Sequence, residues 1–191
     1  MVLFGDDMVR ALNLAYEMGL TEKMQIVVPN LTLGMVRQVG PTIMEGVVGA
    51  APWVWNLPYE NNYQRGKDFV EAFSDRYEMR PSSSAASAYS IVYQYKDAVE
   101  RAGSTNTDAV IRALEGHRYS FLKDEQYWRE FDHQNVQTVY VCRIKPRETV
   151  VADQFSSDYF EIIDFLPGDE AAQTREEWEQ RRKEAGKPTR L

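Results

Sequence analysis

Apolar residues recur with a helical period at the start of the chain. Met8, Leu12, Ala15 and Met18 fall on one face between about Asp6 and Met18. Asp6 and Asp7 suit the positive end of such a helix, and Gly19 supplies its stop. Met24-Gln-Ile-Val-Val28 then reads as a short buried strand closed by Pro29. Asn30 to Met35 follows as a loop and a short helical turn, and Glu45 to Ala51 as another strand. A helix followed by a near-continuous apolar strand is the pattern of a parallel sheet with helices on its faces.

The pattern breaks at Pro52-Trp-Val-Trp-Asn-Leu-Pro58, where two prolines bracket two tryptophans and predict an extended connector. A helix is expected from about Tyr63 to Tyr77, with Phe69, Val70, Phe73 and Tyr77 on one face. Arg80-Pro-Ser-Ser-Ser84 ends it and offers an N-cap to the longest helix, about Ser84 to Ala102. The expected buried stripe of that helix is Ala88, Ile91, Val92, Tyr95, Val99 and Ala102, with Gly103 as the stop. Thr105-Asn-Thr-Asp108 resembles a capping box for a third helix ending at Gly116. Tyr119 to Leu122, Tyr127 to Phe131 and Thr138 to Ile144 read as short strands, the last two joined by a polar turn at Asp132 to Asn135. Asp158 to Asp164 is a further strand candidate. A charged helix from about Glu170 to Ala185 precedes a proline-containing tail.

Composition keeps this α/β picture and removes several functions. Of 191 residues, 43% are hydrophobic and 27% charged, which permits a core and argues against wholesale disorder. No apolar run approaches the roughly 20 residues that span a bilayer. A net charge of −7 argues against nucleic acid, whose phosphates demand a basic surface. Arg181, Arg182 and Lys183 are surrounded by Glu176, Glu177, Glu179 and Glu184, the makings of a solvated helix face. His117 and His133 fall in predicted turns, without zinc-protease spacing or a cysteine pair, so no metal is expected. There is no Gly-x-Ser-x-Gly elbow, phosphate loop or dinucleotide fingerprint, so neither catalysis nor a cofactor is expected. Cys142 stands alone in an alternating strand and is expected to be a small buried side chain. Met1 to Asp6 has no basic n-region and no cleavage site. It reads as a strand end running into a helix, as if the chain began inside a domain.

Four segments carry a family resemblance. They are Phe4 to Leu20, Glu45-Gly-Val-Val-Gly-Ala-Ala-Pro52, the helices Ala85 to Ser104 and Ala109 to Gly116, and Asp132-His-Gln followed by Val139-Tyr-Val141. In their order and spacing they resemble the type I periplasmic-binding-protein fold, in its leucine/isoleucine/valine-binding branch. The likeness runs from about Leu3 to Lys145. Tyr127-Trp-Arg-Glu130 departs from the Gly-rich strand pair usual there, and the resemblance does not extend into the tail from about Pro146. The resemblance implies α/β/α lobes, each a three-layer parallel sheet structure, of which this chain holds an incomplete share. Residues 1–51 would belong to the second lobe, 52–58 to an interlobe connector and 59–116 to the first lobe. Residues 117–150 would return to the second lobe, and 151–191 would form an extension ending in the charged helix.

That implied architecture places a ligand cleft between lobes. Ligands in open α/β sheets lie beyond strand ends, which singles out Asn30 and Thr32. Relatives often place a carboxylate in this loop for an amino acid's ammonium; this loop has none, and could also be a plain turn. Alternation along an extended connector would send Trp53 and Trp55 to opposite sides, so at most one should meet a cleft; both could instead pack between lobes. Ser83 and Ser84 sit at a helix start, where free N–H groups favour anions, and Tyr89 takes the place of a common family tyrosine. The resemblance implies a binder, not an enzyme: the extracytoplasmic or periplasmic component of an ABC uptake transporter, capturing a small polar solute for a membrane permease. A sensory module with the same fold is the alternative. Self-association through apolar surface left without its lobe is also expected.

Overall fold

The structure, a computed structural model, describes residues 1–189. The last two positions of the tail and of the 151–191 extension lie outside the described residues. Helix α1 (Gly5–Glu17) buries Met8, Leu12 and Ala15, three of the four residues of the expected stripe. Strand β1 (Val27–Val28), helices α2 (Leu33–Val39) and α3 (Pro41–Met44) and strand β2 (Val48–Ala51) follow. Then come helices α4 (Leu57–Glu60), α5 (Gln64–Tyr77), α6 (Ser83–Ala102) and α7 (Thr107–Leu114). Short strands β3 (Arg118–Tyr119), β4 (Gln126–Trp128) and β5 (Asn135–Val136) precede the long strand β6 (Val139–Ile144). Helix α8 (Arg147–Ala152), strand β7 (Phe160–Leu166) and helices α9 (Gly168–Ala171) and α10 (Arg175–Glu184) close the chain.

Two sheets result. The larger has the order β1-β2-β6-β7, parallel between β1 and β2 and antiparallel beyond. The smaller is an antiparallel β3-β4-β5 meander. The core gathers on the larger sheet: Met8, Leu12, Val28, Val36, Met44, Val47, Ile144 and Val150 are almost wholly buried. Each such side chain stabilises the fold by about 1.5–3 kcal/mol. Gly49 is required by close approach. A Cβ there would stand 2.5 Å from the Val28 carbonyl oxygen and 2.8 Å from Leu31 Cγ.

Several expectations are corrected. The strands predicted from Met24 and Glu45 shorten to Val27–Val28 and Val48–Ala51, the latter because Gly46 turns with φ +75°. Pro58 does not close an extended connector. It sits in the first turn of α4, where a missing N–H costs nothing. The α6 stripe is not buried: Ile91, Val92 and Tyr95 are 49%, 65% and 53% exposed, and Ser83, Ala86, Gln94 and Ala98 are the covered face. Asn106, not Thr105, caps α7, its side chain accepting from the Ala109 N–H at 3.2 Å. The strand at Tyr127 does not pair with the strand at Val139. It joins β3 and β5, while β6 lies between β2 and β7. The charged C-terminal helix is broken before Thr174, which starts α10 with a reciprocal Thr174–Glu177 capping box. Cys142 is fully buried in β6, and burial pushes its thiol up to about 12, with Glu60 adding to the effect.

Candidate functional site

The two points where residues 52–138 leave and rejoin the larger sheet lie side by side. Ala51 and Tyr140 form the last pair of the β2–β6 ladder. Beyond it, from Pro52, the β2–β6 pairing stops. Lys123, from the bend between β3 and β4, fills the gap, donating to the carbonyl oxygens of Pro52 at 2.8 Å and Thr138 at 2.7 Å. Asp124 lies 3.8 Å from the ammonium and accepts from the Thr138 hydroxyl and, at 2.9 Å, from the Tyr140 phenol. The Lys123 side chain is only 2% exposed. Burial lowers it to about 8 from 10.5, against the opposing pull of Asp124.

A cavity of about 360 Å³ opens beside this junction, within the size range of small-molecule pockets. Ala86, Ser87, Ser90 and Ile91 of α6 form one wall, and Trp53, Leu122 and Lys123 lie at the junction. The smaller sheet supplies Tyr119, Gln126 and Trp128, with Asn135 and Gln137 completing the rim. Tyr119 donates to Gln126 Oε1 at 3.1 Å and accepts from Asn135 Nδ2 at 2.9 Å. Burial pushes its phenol up to about 12, which keeps it neutral in the physiological range. Among the described residues, no Asp or Glu lines the cavity. The indole N–H groups of Trp53 and Trp128 are buried without a partner among the described residues. Such orphaned donors cost about 1–3 kcal/mol each.

The residues singled out from sequence are not gathered in one place. Trp53 is 4% exposed, lines the cavity and meets Phe69 edge-on at 6.0 Å. Trp55 lies apart, edge-on to Tyr59 with the Arg80 guanidinium 4.2 Å above its ring. Arg80 also pairs with Asp153 at 3.1 Å. Burial alone would raise the Asp153 carboxyl, but the Ser157 and Phe155 N–H groups and Arg80 hold it below its ordinary value. Asn30 is exposed after β1, and Thr32 is spent on capping α2, accepting from the Met35 N–H at 3.4 Å. Ser82 caps α6; Ser83 is buried and Ser84 exposed. Tyr89 lines a separate groove between α5 and α6, its ring tilted against those of Phe69, Tyr93 and Phe121. Sequence reasoning missed Lys123 and the amide wall. A lone lysine in a polar bend reads as surface; the available signal was Tyr127-Trp-Arg-Glu130, the departure from the family's strand pair.

A β2–β6 junction carrying an inserted helical unit, with a cavity at its neck, defines an α/β architecture. The family model described as "Periplasmic binding protein" matches residues 1–149, and the chain belongs to that family. Among solved structures it is similar to a periplasmic binding protein from Burkholderia mallei, at 26% identity and TM-score 0.77. That match covers 92% of this chain and 44% of the other. A branched-chain amino acid ABC transporter periplasmic ligand-binding protein from Burkholderia xenovorans is similar at 22% identity and TM-score 0.77, with 92% and 45% covered. An ABC-transporter solute-binding protein from Rhodopseudomonas palustris, in complex with 3,4-dihydroxybenzoic acid, is similar at 18% identity and TM-score 0.66, with 88% and 45% covered. The chain spans less than half the length of each. Comparison with curated protein sequences gives no match.

Proposed function

We propose that this chain serves in the substrate-binding component of an ABC uptake transporter, outside the cytoplasm. It would capture a small polar solute (an amino acid, amide or related metabolite) between two lobes and deliver it to a membrane permease. Residues 1–51 and 117–150 are read as one lobe and 59–116 as the other, joined through 52–58. The observation that carries this reading is the family match over residues 1–149. The names of the Burkholderia xenovorans and Rhodopseudomonas palustris proteins support the transport role. The cavity supports the amide part of that class. Its amide and hydroxyl wall suits neutral hydrogen-bonding groups, and the lack of a lining carboxylate leaves an ammonium without a counter-charge. Of the residues chosen from sequence, Trp53 takes the leading contact; Asn30, Thr32, Trp55, Ser83, Ser84 and Tyr89 are proposed contacts only for a ligand reaching the wider cleft.

The test is thermal unfolding of the full-length protein that carries this chain, with leucine, propionamide, xylitol or 3,4-dihydroxybenzoate at millimolar concentration. A solute at 100 times its Kd adds about 2.7 kcal/mol. A saturable rise with one class, abolished in Trp53→Phe, is expected. No rise with any of the four would overturn the reading.

A further inference from the structure

The chain crosses between the larger sheet and the inserted unit twice, and one side chain bonds both crossings. Pro52 leaves β2 and Thr138 leads into β6, immediately past the Ala51–Tyr140 pair. Regular pairing stops there, and Lys123 supplies the donor that the part-buried carbonyls of Pro52 and Thr138 accept from. We propose that Lys123 is the positioning residue of this neck: its ammonium ties the two crossings together and so holds Trp53, the residue after Pro52, in the cavity wall.

Three further observations support it. The ammonium is shielded from water, so its two bonds to carbonyls, at 2.8 and 2.7 Å, face little competition. Asp124 fixes the same junction from the other side through the Thr138 hydroxyl and the Tyr140 phenol. The Tyr140 ring lies 4.9 Å from Lys123 Nζ, a cation–π contact that also belongs to β6. The charged and titratable groups around the ammonium are therefore Asp124 beside it, Tyr140 on β6 and Tyr63 ahead of α5, whose phenol feels both burial and the Asp124 charge. A lysine kept only to balance Asp124 would not need both backbone carbonyls. This proposal requires no particular ligand and stands apart from the transport reading.

Hydrogen exchange of the full chain tests it, comparing wild type with Lys123→Met and Lys123→Arg. In Lys123→Met, amides of Ala51, Trp53 to Asn56 and Tyr140 should exchange at least tenfold faster, while the β6–β7 ladder beyond Cys142 keeps its protection. Lys123→Arg should restore part of the loss. Wild type moved from pH 7 to pH 9.5 should gain protection at the same amides, after correction for intrinsic exchange, because opening the neck would return Lys123 to water and raise its proton affinity above the folded value of about 8. A folded Lys123→Met with unchanged protection at these positions would overturn the proposal, and so would a loss spread evenly over the molecule. If Lys123→Met does not fold, the wild-type comparison decides: constant corrected protection from pH 7 to 9.5 overturns it.

Discussion

At Gly49 the absence of a side chain is the structural requirement, because β1 and the Leu31 loop close onto β2 there. Gly49→Ala must displace a backbone carbonyl, not only a flexible side chain, and should cost about 1–3 kcal/mol in urea unfolding. Lys123 presents the opposite case, a charge kept where charge is expensive. Its folded value of about 8 lies below the unfolded 10.5, so between these values the unfolded chain binds more protons. Its contribution to stability is thus fully present above pH 10.5 and lost as pH falls through 8. Unfolding free energy measured at pH 7.5 and 9.5 should rise more in wild type than in Lys123→Met. An equal change in both would show that Lys123 titrates as it does in the unfolded chain. Trp53 was legible in sequence as a candidate because indoles between prolines are conspicuous. Lys123 was not, since nothing local distinguishes a buried ammonium from a solvated one; its two partners are 71 and 15 residues away.

Helices were legible where their own periodicity met a partner within the chain. The α1 stripe works because α2, α3 and the sheet cover it. The α6 stripe has the same period, yet Val92 and Tyr95 face outward, more than half exposed, and Ile91 borders the cavity. Periodicity reports an apolar face and not whether the same chain buries it. Replacing Val92 with Ser should therefore change stability by less than about 0.5 kcal/mol, whereas Ala98→Leu on the covered face should cost about 1–3 kcal/mol. Equal costs on both faces would contradict this assignment. At the start of α7, Asn106→Ala should cost about 1 kcal/mol and Thr105→Ala far less, as only Asn106 bonds the helix.

For the whole molecule, alternation and turn residues located most elements, but pairing between strands was beyond their reach. Tyr127 and Val139 are near in sequence and joined by a turn-like segment, so a hairpin was the natural expectation. The burial of β6 between β2 and β7 prevailed, because six residues of alternating apolar character complete a core that the short β4 cannot. This placement has a kinetic consequence. The β6–β7 pair closes locally around α8, but the β2–β6 ladder must wait until everything from Pro52 to Thr138 has compacted enough to bring its ends together. Loop-closure entropy makes such a long-range pairing slow, and contacts of this separation depress folding rates. Stopped-flow refolding should thus show the inserted helices gaining structure before the β2–β6 rungs become protected in pulse labelling. The seam that defines the neck would be the last part of the chain to form and, under stress, the first to open.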